Sequence, residues 1–202
     1  MQSYCAYKAS NGELCGRATS GSKYCVLHHR SDSRAPQQNP DFDRKFSALI
    51  SDKNGDWRGF VFPPGVKLPR EIDFPINAAG CKFNSLDLEG VVFKGSVDFT
   101  EVTFNNGAAL RSVTFEDTVT FDRCRFNGPV DFLNVTCRKS ASFFRADFTG
   151  RSILRANFQG SANFNQAVFR DGVNFSGWRN ITMRIAAATS LTMVGATSPQ
   201  FE

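Results

Sequence analysis

The sequence predicts an all-β chain built mainly as a solenoid, and three observations carry that expectation. Large residues recur in alternating steps of six and five at Phe93, Phe99, Phe104, Leu110, Phe115, Phe121, Phe126, Phe132, Cys137, Phe143, Phe148 and Leu154. After one step shortened near 155–158, the series continues through Phe158, Phe164, Phe169 and Phe175. A small or β-branched residue stands two places before each of them, and polar turn formers fill the spaces between. Two residues apart is the same face of an extended strand, whereas steps of five and six drift around a 3.6-residue wheel. A fixed 11-residue period therefore reads as short strands wound in coils around stacked phenylalanines.

The chain divides along its length. Of 202 residues, all three tyrosines lie within the first 25 and all 21 phenylalanines lie from Phe42 onward. Residues 1–70 carry eleven Lys/Arg against six Asp/Glu, while residues 71–202 are balanced at thirteen each. The basic character that could attract an anionic partner thus belongs to the front third. Six unevenly spread cysteines do not make a disulfide-dense secreted scaffold, and a reducing, cytoplasmic setting is expected. The N-terminus MQSYCAYKASNGELCG has no apolar core of a signal peptide, and Ile185 to Gly195 is too short to span a membrane.

Residues 1–30 form the first unit. Cys5, Cys15 and Cys25 stand ten apart, and His28 follows with His29 one place on. Three thiolates and an imidazole suit a tetrahedral structural zinc, and a segment this polar needs a metal in place of an apolar core. Glu13 is its one carboxylate, which argues against a catalytic ion. The run GELCGRATSGSKYCVLHHR resembles the Cys3His zinc module known as the WRC domain. The resemblance implies Cys5, Cys15, Cys25 and His28 as ligands, with His29 the alternative fourth, and brings DNA or protein contact into view.

Residues 31–40, SDSRAPQQNP, read as a linker that leaves the zinc module flexibly tethered. In 41–74, Phe42, Phe46, Leu49 and Ile50 follow helical spacing behind Asp41, the expected N-cap, and Trp57, Phe60 and Phe62 close the end of the core. The solenoid proper covers 75–178, in units such as VDFTEVTFNNG and VTFDRCRFNGP. Cys124 and Cys137 fall on inward positions, Cys81 on an irregular one that could be exposed, and Trp178 ends the last unit. Residues 179–202 are cap or tail, with a short capping helix expected over 181–195.

The in-phase repeat resembles the pentapeptide repeat family, in its alternating five and six residue variant. That resemblance implies a right-handed quadrilateral β-helix, to which the helices expected at its two ends add short caps. At two units per turn and about 4.8 Å per stacked strand, four to five turns make a column on the order of 20 Å.

Catalysis finds no foothold, since the repeats contain no histidine, phosphate loop or carboxylate pair that stands out from the turns. The expected function is that of a non-catalytic adaptor presenting a rigid β-helix and a zinc module to a protein partner. The first alternative is nucleic-acid binding through Lys8, Arg17, Lys23, Arg30 and Arg34, which are few enough that binding should be weak. The second, implied by the family resemblance, is mimicry of duplex DNA toward a type II topoisomerase, against which the neutral repeat region counts. The pattern sets no oligomeric state.

Overall fold

The computed structural model describes residues 3–10, 12–19, 22–29 and 40–175, with the backbone of 176, 181–182, 185–188 and 191–194. Of the expected linker 31–40, residues 31–39 lie outside the described residues, as do Arg30 and Trp178, while Pro40 begins the helix.

From Val61 the chain winds into about five turns of a parallel β-solenoid whose strands are only two to four residues long. They stack in four ladders of seven, six, five and six strands, so the column has four faces. One ladder runs through Val61–Phe62, Lys82–Phe83, Thr103–Phe104, Arg125–Phe126, Asp147–Phe148 and Ala167–Phe169. Each coil hydrogen-bonds the next with parallel register, as where Asn127 N–H donates to the Phe104 carbonyl at 2.9 Å and Thr149 N–H to that of Phe126 at 2.9 Å.

Inside, the pattern becomes columns of rings. Phe62, Phe83, Phe104, Phe126, Phe148 and Phe169 stack with centroids 4.3 to 5.5 Å apart. Phe99, Phe121, Phe143 and Phe164 form a second column. The small residues before them, Val97, Val102, Val119, Ala141 and Ala146 among them, are buried beside the rings. Ser152 takes one small position and satisfies its hydroxyl on the Gly150 carbonyl at 3.2 Å. Cys124 is inward, its thiol donating to the Phe99 carbonyl at 2.9 Å. Cys137 is buried in register between Phe115 and Phe158. Burial alone pushes its thiol up to about 12.

The shortened step has a local cause. At one corner Gly90, Ser112 and Asn134 occupy the left-handed region on successive coils. The next coil passes from Leu154 through Arg155 to Ala156 without that residue, so two strands run almost into one another. At a second corner Glu101, Arg123, Arg145 and Gln166 hold the left-handed position, with φ between 54° and 61°.

Four expectations are corrected. Cys81 is buried, not exposed, and donates its thiol to the Trp57 carbonyl at 2.9 Å, in the same inward position as Cys124 two coils above it. The helix spans Pro40–Ser51, so Asp41 is inside its first turn instead of capping it. There it and Asp43 favour the positive end of the helix dipole, behind a proline suited to the first turn. Phe42 and Phe46 pack edge-on against Phe62 and Trp57, closing part of the open column.

The C-terminal stretch is not a capping helix. Ile181–Thr182, Ile185–Ala188 and Leu191–Val194 add parallel strands to Ala162–Asn163, Ala167–Phe169 and Val173–Ser176. The last full coil offers rows of unpaired N–H and C=O groups, which strands satisfy and a helix laid across them does not. Nor is the N-terminal unit loosely tethered. Leu27 is buried against the core, and its carbonyl accepts the Val61 N–H at 2.8 Å.

Candidate metal centre

The first ligands sit on an antiparallel hairpin. Ser3–Tyr4 pairs with Ala18–Thr19, and a bridge from Lys8 to Leu14 continues the same register. Gly12, at φ +90°, turns the chain, and its amide donates to the Ala9 carbonyl at 2.9 Å. Strand alternation then sends Cys5, Tyr7 and Ala9 inward and Tyr4, Ala6 and Lys8 outward. Cys15 is brought opposite by its N–H bond to the Tyr7 carbonyl at 3.1 Å. The remaining two ligands share one turn, closed by the His28 N–H on the Cys25 carbonyl at 3.0 Å.

These four expected residues converge. The three Sγ atoms and one imidazole nitrogen all lie within 4.8 Å of one another. Cys15 and Cys25 sulfurs are 3.8 Å apart, and His28 Nδ1 is 3.5 Å from Cys5 and 3.4 Å from Cys25. Zinc bonded tetrahedrally at about 2.3 Å to sulfur and about 2.0 Å to nitrogen needs S···S edges of about 3.8 Å and S···N edges of about 3.5 Å. These three edges match that geometry and the others lie within 4.8 Å, so the four side chains are close enough to hold one ion. All six cysteines are free thiols.

The surroundings prepare the ligands. His28 Nε2 lies 2.8 Å from the Arg58 carbonyl, and donating there leaves Nδ1 unprotonated and aimed at the three sulfurs. Burial first of all holds the imidazole neutral, lowering it to about 4. Burial likewise raises the Cys25 thiol to about 12, against backbone N–H groups of His28 and Leu27 directed at its sulfur. At Cys15 burial also raises the thiol, but the Arg17 backbone N–H and guanidinium outweigh it and lower the group overall. The guanidinium stands 3.4 Å from that sulfur, so it offsets part of the negative charge that three thiolates would concentrate. Between the two adjacent histidines, His28 is the one in the cluster.

Several supporting residues carried no motif. The Tyr7 ring stacks on His28 with centroids 3.9 Å apart and planes within 10°. Gly59 leaves room for it, since a Cβ there would fall 2.0 Å from the Tyr7 ring. Arg58 binds Asp56 and reaches Glu13, tying the hairpin to the first coil. Of these, only the hairpin had a readable signal, the Asn11-Gly12 dipeptide.

Comparison with known families places the middle of the chain. Residues 78–125 match the family model described as pentapeptide repeats (9 copies). No curated protein and no solved structure matches the chain. The matched segment lies wholly within the coils, where the expected small and large positions are buried and stacked. Residues 78–125 of the solenoid are thus similar to the pentapeptide repeat family, within a parallel β-solenoid of about five turns.

Proposed function

We propose that this chain is a non-catalytic interaction protein: a β-helix whose N-terminal end carries a structural zinc held by Cys5, Cys15, Cys25 and His28. The choice of zinc follows from the donor set and its tetrahedral edges, and three thiolates with one imidazole leave no open position for catalysis.

The observation that carries the interaction reading is the outer face of the zinc hairpin. By its register that face presents Tyr4, Ala6 and Lys8 beside Leu14, Gly16 and Ala18. Tyr4 is 61% and Leu14 71% exposed, the exposed large apolar side chains among the described residues. Exposed aromatic and aliphatic groups carried on one face of a hairpin suit a protein partner.

The other two readings draw less support. Seven of the twelve Asp/Glu between 71 and 175 are paired with a base, as in Lys94–Glu71, Arg123–Glu101, Lys139–Asp117 and Arg170–Asp147. Pairs this exposed add little stability, but they cancel the negative field that duplex mimicry requires. Arg17, counted among the bases for nucleic acid, is turned to Cys15 and over the Phe60 ring at 5.2 Å.

The test is affinity capture with the intact zinc-loaded chain beside its Tyr4→Ser, Leu14→Ser double variant. A defined protein held by the first and released by the second supports the reading. Equal retention by both would move the contact off the hairpin.

A further inference from the structure

We infer that the metal centre fastens the N-terminal end of the β-helix, so that metal binding and closure of the first coil are one linked equilibrium. The inference rests on the metal reading of the Cys3His cluster and adds what that cluster does for the solenoid.

Two hydrogen bonds join the ligand turn directly to the coil. Leu27, between the ligands Cys25 and His28, accepts the Val61 N–H at 2.8 Å, and His28 Nε2 meets the Arg58 carbonyl at 2.8 Å. Val61–Phe62 is the first strand of its ladder and has Lys82–Phe83 on its other side. The ligand turn thus occupies the edge that the first coil would otherwise leave open. Packing repeats the connection. His28 stands edge-on to Phe60 with centroids 5.2 Å apart, and Arg17 covers the same ring. Phe60 is fully buried, although no coil lies above it. The helix closes the neighbouring part of the end through Phe42 and Phe46, which leaves the Phe60 side to the metal unit.

An ion that holds Cys25 and His28 in one turn therefore also holds the two carbonyl contacts in place. Linkage makes the relation reciprocal: a change on the coil side that disturbs the contact must lower metal affinity by the factor by which metal stabilises the contact. Because each coil touches only its neighbours, the effect should fade along the column.

The experiment uses the full chain, loaded with zinc or stripped by a chelator, followed by amide hydrogen exchange. Stripping should speed exchange at Val61 and Lys82 about tenfold or more while Asn127 and Thr149 stay unchanged, since local openings report local stability. A second measurement titrates cobalt, read by its ligand-field absorption, into Gly59→Ala and Gly65→Ala. Both glycines have positive φ, at 67° and 79°, so backbone strain is matched, but only the first substitution drives a methyl into Tyr7. Gly59→Ala should bind cobalt about tenfold or more weakly than Gly65→Ala, the size of an outer-shell effect. If stripping alters exchange only within residues 3–29 and the two variants bind alike, the fastening role is wrong and the metal site stands. If the unmodified chain retains neither zinc nor cobalt, the metal reading falls and this inference with it.

Discussion

Phe126→Ala probes the ring column where it is most completely enclosed. Phe126 is fully buried and lies between Phe104 at 4.7 Å and Phe148 at 4.6 Å, both within 8° of parallel. Truncation removes the transfer free energy of a benzyl group, about 2–3 kcal/mol, and two stacking contacts worth about 0.5–1.5 kcal/mol each. The neighbours cannot close the gap, because Arg125, Asn127 and Thr149 tie the coils above and below through backbone bonds of 2.9 Å. These contributions sum to about 3–6 kcal/mol, overlapping the ~3–5 kcal/mol typical of buried aromatic truncations. Urea unfolding followed by far-ultraviolet circular dichroism would read it as a lower midpoint, with the slope checked because repeat arrays can unfold in stages. Arg123, three residues away, supplies the contrast: it is exposed and sits at φ +54°. Arg123→Gly trades the strain of the left-handed corner against the added freedom of the unfolded chain, and should shift stability by less than about 1 kcal/mol. Equal losses at the two positions would show that the inward phase has been assigned wrongly.

Elemental analysis of chain purified without added metal should give about one zinc per molecule, and Cys15→Ser should lose it. At the corners, Gly107→Ala should cost clearly more than Gly80→Ala in thermal melts. Both have positive φ, but a Cβ at 107 would lie 2.0 Å from the Pro129 carbonyl oxygen, whereas at 80 it meets nothing within 4 Å. With a fluorescent single-stranded oligonucleotide, polarisation should show weak binding that disappears by about 0.15 M salt; a salt-tolerant, sequence-selective complex would put the nucleic-acid reading first. Lowering the pH should loosen the hairpin's seat on the coil. The Arg58 side-chain bond holds Asp56 below the usual carboxylate range, so its stabilisation is complete above the unfolded value near 3.8 and is lost as pH falls through the lower folded value. Exchange at Val61 should therefore rise on acidification below about pH 4 more in the parent than in Asp56→Asn.

The interior of the solenoid was legible before any coordinates because its periodicity is local. In an extended strand the inward positions are two apart, so Val97 with Phe99 and Val102 with Phe104 declare their face whatever the rest of the chain does. The Cys3His cluster of Cys5, Cys15, Cys25 and His28 was legible for a similar reason: thiols and imidazole in a coreless segment have few other uses. What depends on residues without a pattern was not legible. The choice of His28 over His29 turns on the Arg58 carbonyl thirty residues away, which selects the tautomer. The docking of the hairpin turns on Tyr7 finding the bare face of Gly59, and on Leu27 finding the free edge of Val61. The neutrality of the repeats is visible in composition, but its meaning appears only when a coil of 21 or 22 residues sets Glu101 beside Arg123 and Asp117 beside Lys139. At the C-terminus, Ile185–Ala188 has no strong preference of its own, and the unpaired edge of the last coil turned it into strand. Sequence determines the side of the chain that faces inward; the tertiary structure decides which open edge and which bare ring each unpatterned residue covers, because those partners exist only once the coils have formed.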